Sequence, residues 1–124
     1  MKKVYYLSTC TTCERILKDT GIDKRKDFIQ QDIKTEKITP AQLDEMKRMA
    51  GSYEALFSRI ALKFRSMGLN KLTLTEKDYR RYILEEYTFL KRPVTIIGNE
   101  IFIGNSPKNV DALKEEVRNT NNTK

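Results

Sequence analysis

Cys10-Thr11-Thr12-Cys13 constrains this chain more than any other stretch. The pair follows the apolar run Val4-Tyr5-Tyr6-Leu7, which reads as a short buried strand, and precedes a helical pattern that carries Ile16 and Leu17 and stops at Gly21. Thr11 and Glu14 have the spacing of a capping box, so the helix is expected to begin near Thr12 and to run about two turns. A thiol at such a strand-to-helix turn meets helix N–H groups and the positive end of the dipole, both of which favour thiolate. The second thiol is close enough to attack an adduct on the first and leave a disulfide. The bland alternatives are that Cys10 is a small buried hydrophobe and that Cys13, one turn into the helix, only packs.

The rest of the composition narrows the chemistry. The chain has 124 residues, enough for one core, and its charged and apolar fractions are those of a soluble globular protein. No run approaches the roughly 20 apolar residues of a membrane span. Met1-Lys2-Lys3 leads into a short apolar stretch broken at Ser8, without a secretory core or cleavage site, so a cytoplasmic location is expected. In a reducing compartment a CxxC points to catalysis, redox sensing or metal binding rather than to a structural staple. There is no histidine, which excludes Cys-His and Ser-His catalysis and any zinc site that uses His. Two thiolates alone cannot fill four metal positions, so no metal is expected. The net charge of +7 comes without any block of five like charges, and Lys71 to Lys77 reads as a solvated stretch, so direct nucleic-acid binding is not expected.

Along the chain, residues 27–33 carry Phe28, Ile29 and Ile33 and are expected to form a second strand, parallel to the first. A helical middle follows. Thr39-Pro40 opens a helix that carries Leu43, Met46 and Met49 and ends at Gly51. Another helix is expected from Ser52 to about Leu56, and Ile60, Leu62, Phe64 and Met67 are expected to make core contacts. Thr75 starts a helix with Tyr79, Tyr82, Ile83 and Tyr87 on one stripe. Val94 to Ile97, the turn signal Gly98-Asn99, and Glu100 to Ile103 then read as a hairpin. Ser106-Pro107 opens a last helix with Val110, Leu113 and Val117 inward, and residues 119–124 form a polar tail expected to fray.

This order, β-α-β, helices, hairpin, helix, with CxxC after the first strand, is that of an α/β thioredoxin-like fold with a mixed central sheet. The hairpin is introduced by Lys91-Arg92-Pro93-Val94, where Pro93 is a candidate for a cis peptide bond. In thioredoxin-like folds a cis-proline at this place lies beside the cysteine loop. Its neighbour, Arg92, would then point at Cys10.

The chain resembles the arsenate reductase (ArsC) / Spx family. The resemblance covers residues 3–118 and rests on Tyr5 to Cys13, on Leu56-Phe57-Ser58-Arg59, on Leu90-Lys91-Arg92-Pro93-Val94 and on Ile103-Gly104-Asn105. It implies a single domain over 1–118 with a helical insertion at about 40–88. It also implies a thiol-dependent reductase. Cys10 is the nucleophile, Cys13 the resolving thiol able to pair with it, and Arg92 with Arg59 the oxyanion clamp, with Thr12 offering a further donor. Arg15 is a weaker candidate for stabilising thiolate or substrate. No bound cofactor is implied; electrons come from glutathione, glutaredoxin or a thioredoxin-type donor, and the partners are a small oxyanion and that donor. The family's reductases typically carry another arginine in the turn after the hairpin, where this chain has Ile103-Gly104-Asn105-Ser106. Their single-thiol members also lack a cysteine at the place of Cys13. Both departures lean toward the Spx side, whose members use CxxC as a redox switch and bind the C-terminal domain of the RNA polymerase α subunit. The alternatives to a reductase are therefore such a regulator, or a member with neither activity. A low-molecular-weight phosphatase loop is excluded, because its Cys-x5-Arg pattern needs arginine where Ile16 or Asp19 stands.

Overall fold

Four short strands and two α-helices make up one part of the molecule. A computed structural model describes residues 1–121. It divides into two units, one made of Met1–Glu36 together with the chain from Arg92 onward, the other of Lys37–Lys91.

In the first unit, β1 (Lys2–Tyr6), β2 (Ile29–Asp32), β3 (Val94–Ile97) and β4 (Glu100–Ile103) form a mixed sheet in the order β2-β1-β3-β4. β1 is parallel to β2, with Tyr5 opposite Gln31, and antiparallel to β3, with Val4 opposite Thr95. The connection between β1 and β2 contains α1 (Thr11–Thr20), as a parallel pair requires. All four residues of β3 are buried, which is why its sequence is continuous Val-Thr-Ile-Ile rather than alternating. The second strand is shorter than expected: Ile29 faces solvent, and the buried residue is Gln31, whose side-chain amide donates to the Glu36 carbonyl at 3.0 Å. Cys13, Ile16 and Leu17 form the buried stripe of α1 at helical spacing. With Val4, Ile22, Phe28, Ile97, Leu113 and Val117 the last two make one apolar cluster, onto which Tyr6, Phe102 and Val110 pack. Leu113 and Val117 come from the final helix, Pro107–Asn121, whose start is capped by the Ser106 hydroxyl accepting the Asn109 N–H at 3.3 Å. That helix continues through 119–121, where fraying was expected; residues 122–124 lie outside the described part.

Gly21 ends α1 at φ +79°, its N–H returning to the Lys18 carbonyl at 3.1 Å. A Cβ there would meet nothing within 4 Å, so Gly21→Ala isolates the cost of a left-handed backbone. We expect destabilisation of about 1 kcal/mol, read as a lower urea midpoint at unchanged slope.

In the second unit, α2 (Pro40–Ala50) has a complete capping box: the Thr39 hydroxyl accepts the Gln42 N–H at 3.1 Å, and the Gln42 side chain accepts the Thr39 N–H at 3.0 Å. Residues 52–56 do not continue as a second helix. Ser52 accepts the Ala55 N–H at 3.1 Å, and only one 3-10 turn, Glu54–Leu56, forms. α3 (Leu62–Ser66) is five residues long. Here the expected core contacts fail, since Ile60 and Leu62 are 89% and 90% exposed and Met67 is 47% exposed. α4 (Glu76–Glu85) starts at a second capping box, Thr75 with Asp78, and buries Tyr79 and Ile83. Tyr87 leaves the stripe, because it falls in a separate 3-10 turn, Tyr87–Phe89. The remaining helix, from Pro107, is α5. The centre of the second unit is aromatic: Phe57 stacks on Phe89 at 5.1 Å and meets Tyr79 at 4.9 Å and Phe64 at 6.0 Å. Among the described residues no helix is long and apolar enough to cross a membrane.

Candidate active site

The cysteine loop is shaped by backbone hydrogen bonds before any side chain acts. After β1 the chain turns, with the Cys10 N–H donating to the Leu7 carbonyl at 3.0 Å, and the Cys10 carbonyl then accepts the Glu14 N–H at 3.1 Å, the first bond of α1. Cys10 is therefore the N-cap, one position before the Thr11 that the sequence pattern suggested, and its backbone is extended, as a cap requires. The reason is local: Thr11 has already entered the helix, so the T-x-x-E spacing of Thr11 and Glu14 starts one residue too late to cap.

This placement gives the two thiols opposite characters. Both are free. Cys10 is partly exposed, and burial works against its ionisation. The N–H and thiol of Cys13, the N–H of Thr12 and the charge of Arg92 outweigh that cost, so its pKa lies below the ordinary thiol value. Cys13 is fully buried. Burial pushes its pKa up to about 12, helped by the charge on Cys10, while the Leu7 backbone and Arg92 offset only part of the rise. One thiol is thus primed and the other held protonated.

Arg92 reaches this place through the entry to the hairpin. The Arg92–Pro93 peptide bond is cis. The Pro93 carbonyl accepts the Gly104 N–H at 2.9 Å, and the Gly104 carbonyl accepts the Asn109 side-chain amide at 2.9 Å. A chain of two hydrogen bonds therefore ties the arginine's own turn to α5. Gly104 sits at φ +84°, a conformation that suits no other residue as well. The turn at 103–106, which carries no arginine, holds Pro93 through the Gly104 N–H.

Asp32, at the end of β2, is a residue that sequence reasoning passed over. Its carboxylate accepts the Ser8 N–H at 3.2 Å and the Lys34 N–H at 3.1 Å, fixing the start of the cysteine loop. Burial opposes its charge, but Ser8 and Lys34 hold the carboxyl below the usual carboxylate range. An aspartate as the last residue of the strand that pairs with β1 was the available signal.

Within the first unit, the N–H groups of Thr12 and Cys13 and the charge of Arg92 all act on Cys10. Arg15 lies on the exposed side of α1. Arg59 belongs to the Lys37–Lys91 unit, where its guanidinium donates to Glu54 at 2.8 Å and to the Tyr79 hydroxyl at 2.7 Å.

A family model described as the ArsC family matches residues 5–113. The chain belongs to the ArsC family. No curated protein matches it by sequence. Among solved structures, this ArsC member is similar to an arsenate reductase from Vibrio cholerae, with TM-score 0.74 at 12% identity, over 90% of this chain and 96% of that one. It is similar to an arsenate reductase (ArsC) related protein from Brucella melitensis, with TM-score 0.65 at 21% identity, over 90% and 92%. A protein from Staphylococcus aureus COL gives TM-score 0.70 at 24% identity, over 90% and 97%. At these identities the likeness shows the fold, which is the thioredoxin-like α/β fold with a four-stranded mixed sheet.

The different ionisation of the two thiols is directly measurable. Iodoacetamide at neutral pH is expected to add one group per chain, at Cys10, because the alkylation rate follows the thiolate fraction. In Arg92→Ala the rate-against-pH curve of Cys10 moves to higher pH, since a positive charge favouring the thiolate is gone. Intact mass and peptide mapping read both results.

Proposed function

We propose that this ArsC-family protein is a thiol-dependent reductase of a small oxyanion, arsenate being the first to test. The observation that carries the reading is a partly exposed cysteine at a helix N-terminus, with a lowered pKa and an arginine charge acting on it. In this reading the Cys10 thiolate attacks the pentavalent centre. A sulfur–arsenic bond forms, and one oxygen leaves as water after taking up protons. A second thiol then attacks the Cys10 sulfur. A disulfide forms and the sulfur–arsenic bond breaks with its electron pair left on arsenic, which becomes trivalent. Two thiols are oxidised for each oxyanion reduced, and an external thiol or dithiol returns the enzyme to its starting state. Arg92 and the N–H groups at the start of α1 favour the anion as it binds.

Cys13 can serve as the second thiol only after Cys10 is bonded, when the negative charge that raises its pKa has disappeared; the burial remains. That asymmetry favours an external thiol, of the glutathione or thioredoxin type, as the first attacker. Arg59 as part of the clamp would have to exchange its bonds to Glu54 and Tyr79 for the oxyanion. The test is arsenite formation from arsenate with glutathione and glutaredoxin, or with a thioredoxin system, as reductant. Turnover that needs the thiol supports the reading; no turnover with either donor sinks it.

One observation favours a second reading, a Spx-like redox regulator. The 103–106 turn contributes no cation, and its backbone is taken up by Pro93 and Asn109. Binding to the C-terminal domain of the RNA polymerase α subunit without any oxyanion reduction would select it.

A further inference from the structure

We infer that the stretch 59–72 of the second unit is a docking surface for an acidic segment of another protein that also carries apolar side chains. Four of the six large hydrophobic residues most exposed on the described chain lie within it: Ile60, Leu62, Met67 and Leu72. Ile60 and Leu62, at 89% and 90%, are as exposed as side chains in an unfolded peptide, although each has regular structure beside it. Single exposed aliphatic residues are ordinary; four within the thirteen positions 60–72 are a concentration that binding to a partner would account for.

The charges name the partner. Between Arg59 and Leu72 stand Arg59, Lys63, Arg65 and Lys71, and no Asp or Glu. Arg59 and Lys63 are satisfied by Glu54 and Glu86 at 2.8 and 2.7 Å. Arg65 and Lys71 are exposed and form no ion pair among the described residues. An occupant that covers Ile60 and Leu62 and supplies carboxylates to Arg65 and Lys71 completes both needs at once. A phosphate backbone would meet the cations but leave the aliphatic groups against a polar surface, and aliphatic side chains give bases no stacking platform. A lipid surface is matched by a long amphipathic helix, and α3 has five residues. Ile60, Leu62, Arg65 and Lys71 have no part in the proposed thiol chemistry, so failure of the docking surface would leave the reductase reading where it stands.

The experiment is photo-crosslinking in living cells. A benzophenone side chain is placed at position 62 of the full chain, and the adducts are mapped by mass spectrometry. The expected result is a discrete set of protein adducts whose crosslinked peptides are net acidic and contain apolar residues. The yield should fall at least fivefold when Arg65→Glu and Lys71→Glu are combined with the probe, and remain unchanged in Cys10→Ser. Both cations are exposed, and circular dichroism checks that the charge-reversed chain folds as the parent does. Adducts with lipid, nucleic acid or a second copy of this chain, adducts indifferent to the charge reversal, or no adduct at all would each overturn the proposal.

Discussion

Cys10→Ser is expected to lower thiol-dependent oxyanion reduction by about 10⁴-fold or more, because the sulfur that forms the covalent bond is removed and a serine hydroxyl stays protonated at neutral pH. The same change removes the one fast-reacting thiol, so neutral-pH alkylation should fall to background. Fold stability should move little, since Cys10 is only partly buried and its thiol makes no capping hydrogen bond. Cys13→Ala is the informative comparison. It creates a small cavity at a fully buried site but leaves Cys10 in place, and it removes a thiol interaction that favours the Cys10 thiolate. If an external thiol is the first attacker, Cys13→Ala keeps measurable turnover while Cys10→Ser keeps none. Equal loss in both variants would make Cys13 the obligatory second thiol. Full activity in Cys10→Ser would remove Cys10 from the nucleophile role altogether.

Both units were legible wherever a backbone rule and a side-chain pattern agreed. Gly98-Asn99 between two β-branched runs marks the hairpin because a tight turn needs positive φ, and Gly98 has φ +60°. Thr39-Pro40 and Thr75 mark helix starts, and in the structure each threonine exchanges reciprocal hydrogen bonds, with Gln42 and with Asp78. Thr11 with Glu14 shows the same spacing, yet the cap is Cys10, since the turn closed by the Cys10 N–H on Leu7 sets where the helix begins. That turn is closed by backbone groups alone, so no side chain in the sequence announces it. Ile60, Leu62 and Met67 mislead for a related reason. Periodicity registers that residues are apolar, but whether anything lies opposite them is a tertiary fact. At the site, the place of Cys10 and Cys13 at a helix start could be read directly, whereas the hydrogen bonds from Ser8 to Asp32 and from Asn109 to Gly104 join residues on separate elements and have no signature in the sequence. What Arg59 is bonded to belongs to the same class, because neither Glu54 nor Tyr79 announces its partner.

The largest effect on folding is expected at Phe57 rather than near the thiols. Phe57 is fully buried, and its ring is shared by three others: stacked on Phe89, tilted on Tyr79 and edge-on to Phe64. Its backbone lies in the short antiparallel bridge to Leu90, flanked by the Ser58 N–H on the Phe89 carbonyl at 2.7 Å and the Lys91 N–H on the Leu56 carbonyl at 2.8 Å. Truncation to alanine therefore loses the transfer free energy of a buried ring and leaves a cavity among rings that are stiff and anchored by backbone bonds, so little collapse can fill it. Phe57→Ala should cost about 3–5 kcal/mol, enough to consume a large share of the roughly 5–15 kcal/mol that holds a domain of this size folded. Phe57→Leu, which refills part of the volume without the aromatic contacts, should cost roughly half as much. Urea unfolding followed by circular dichroism reads both. If Phe57→Ala moved the midpoint no more than an exposed-residue control such as Leu62→Ala, the aromatic cluster would not be the core of the Lys37–Lys91 unit.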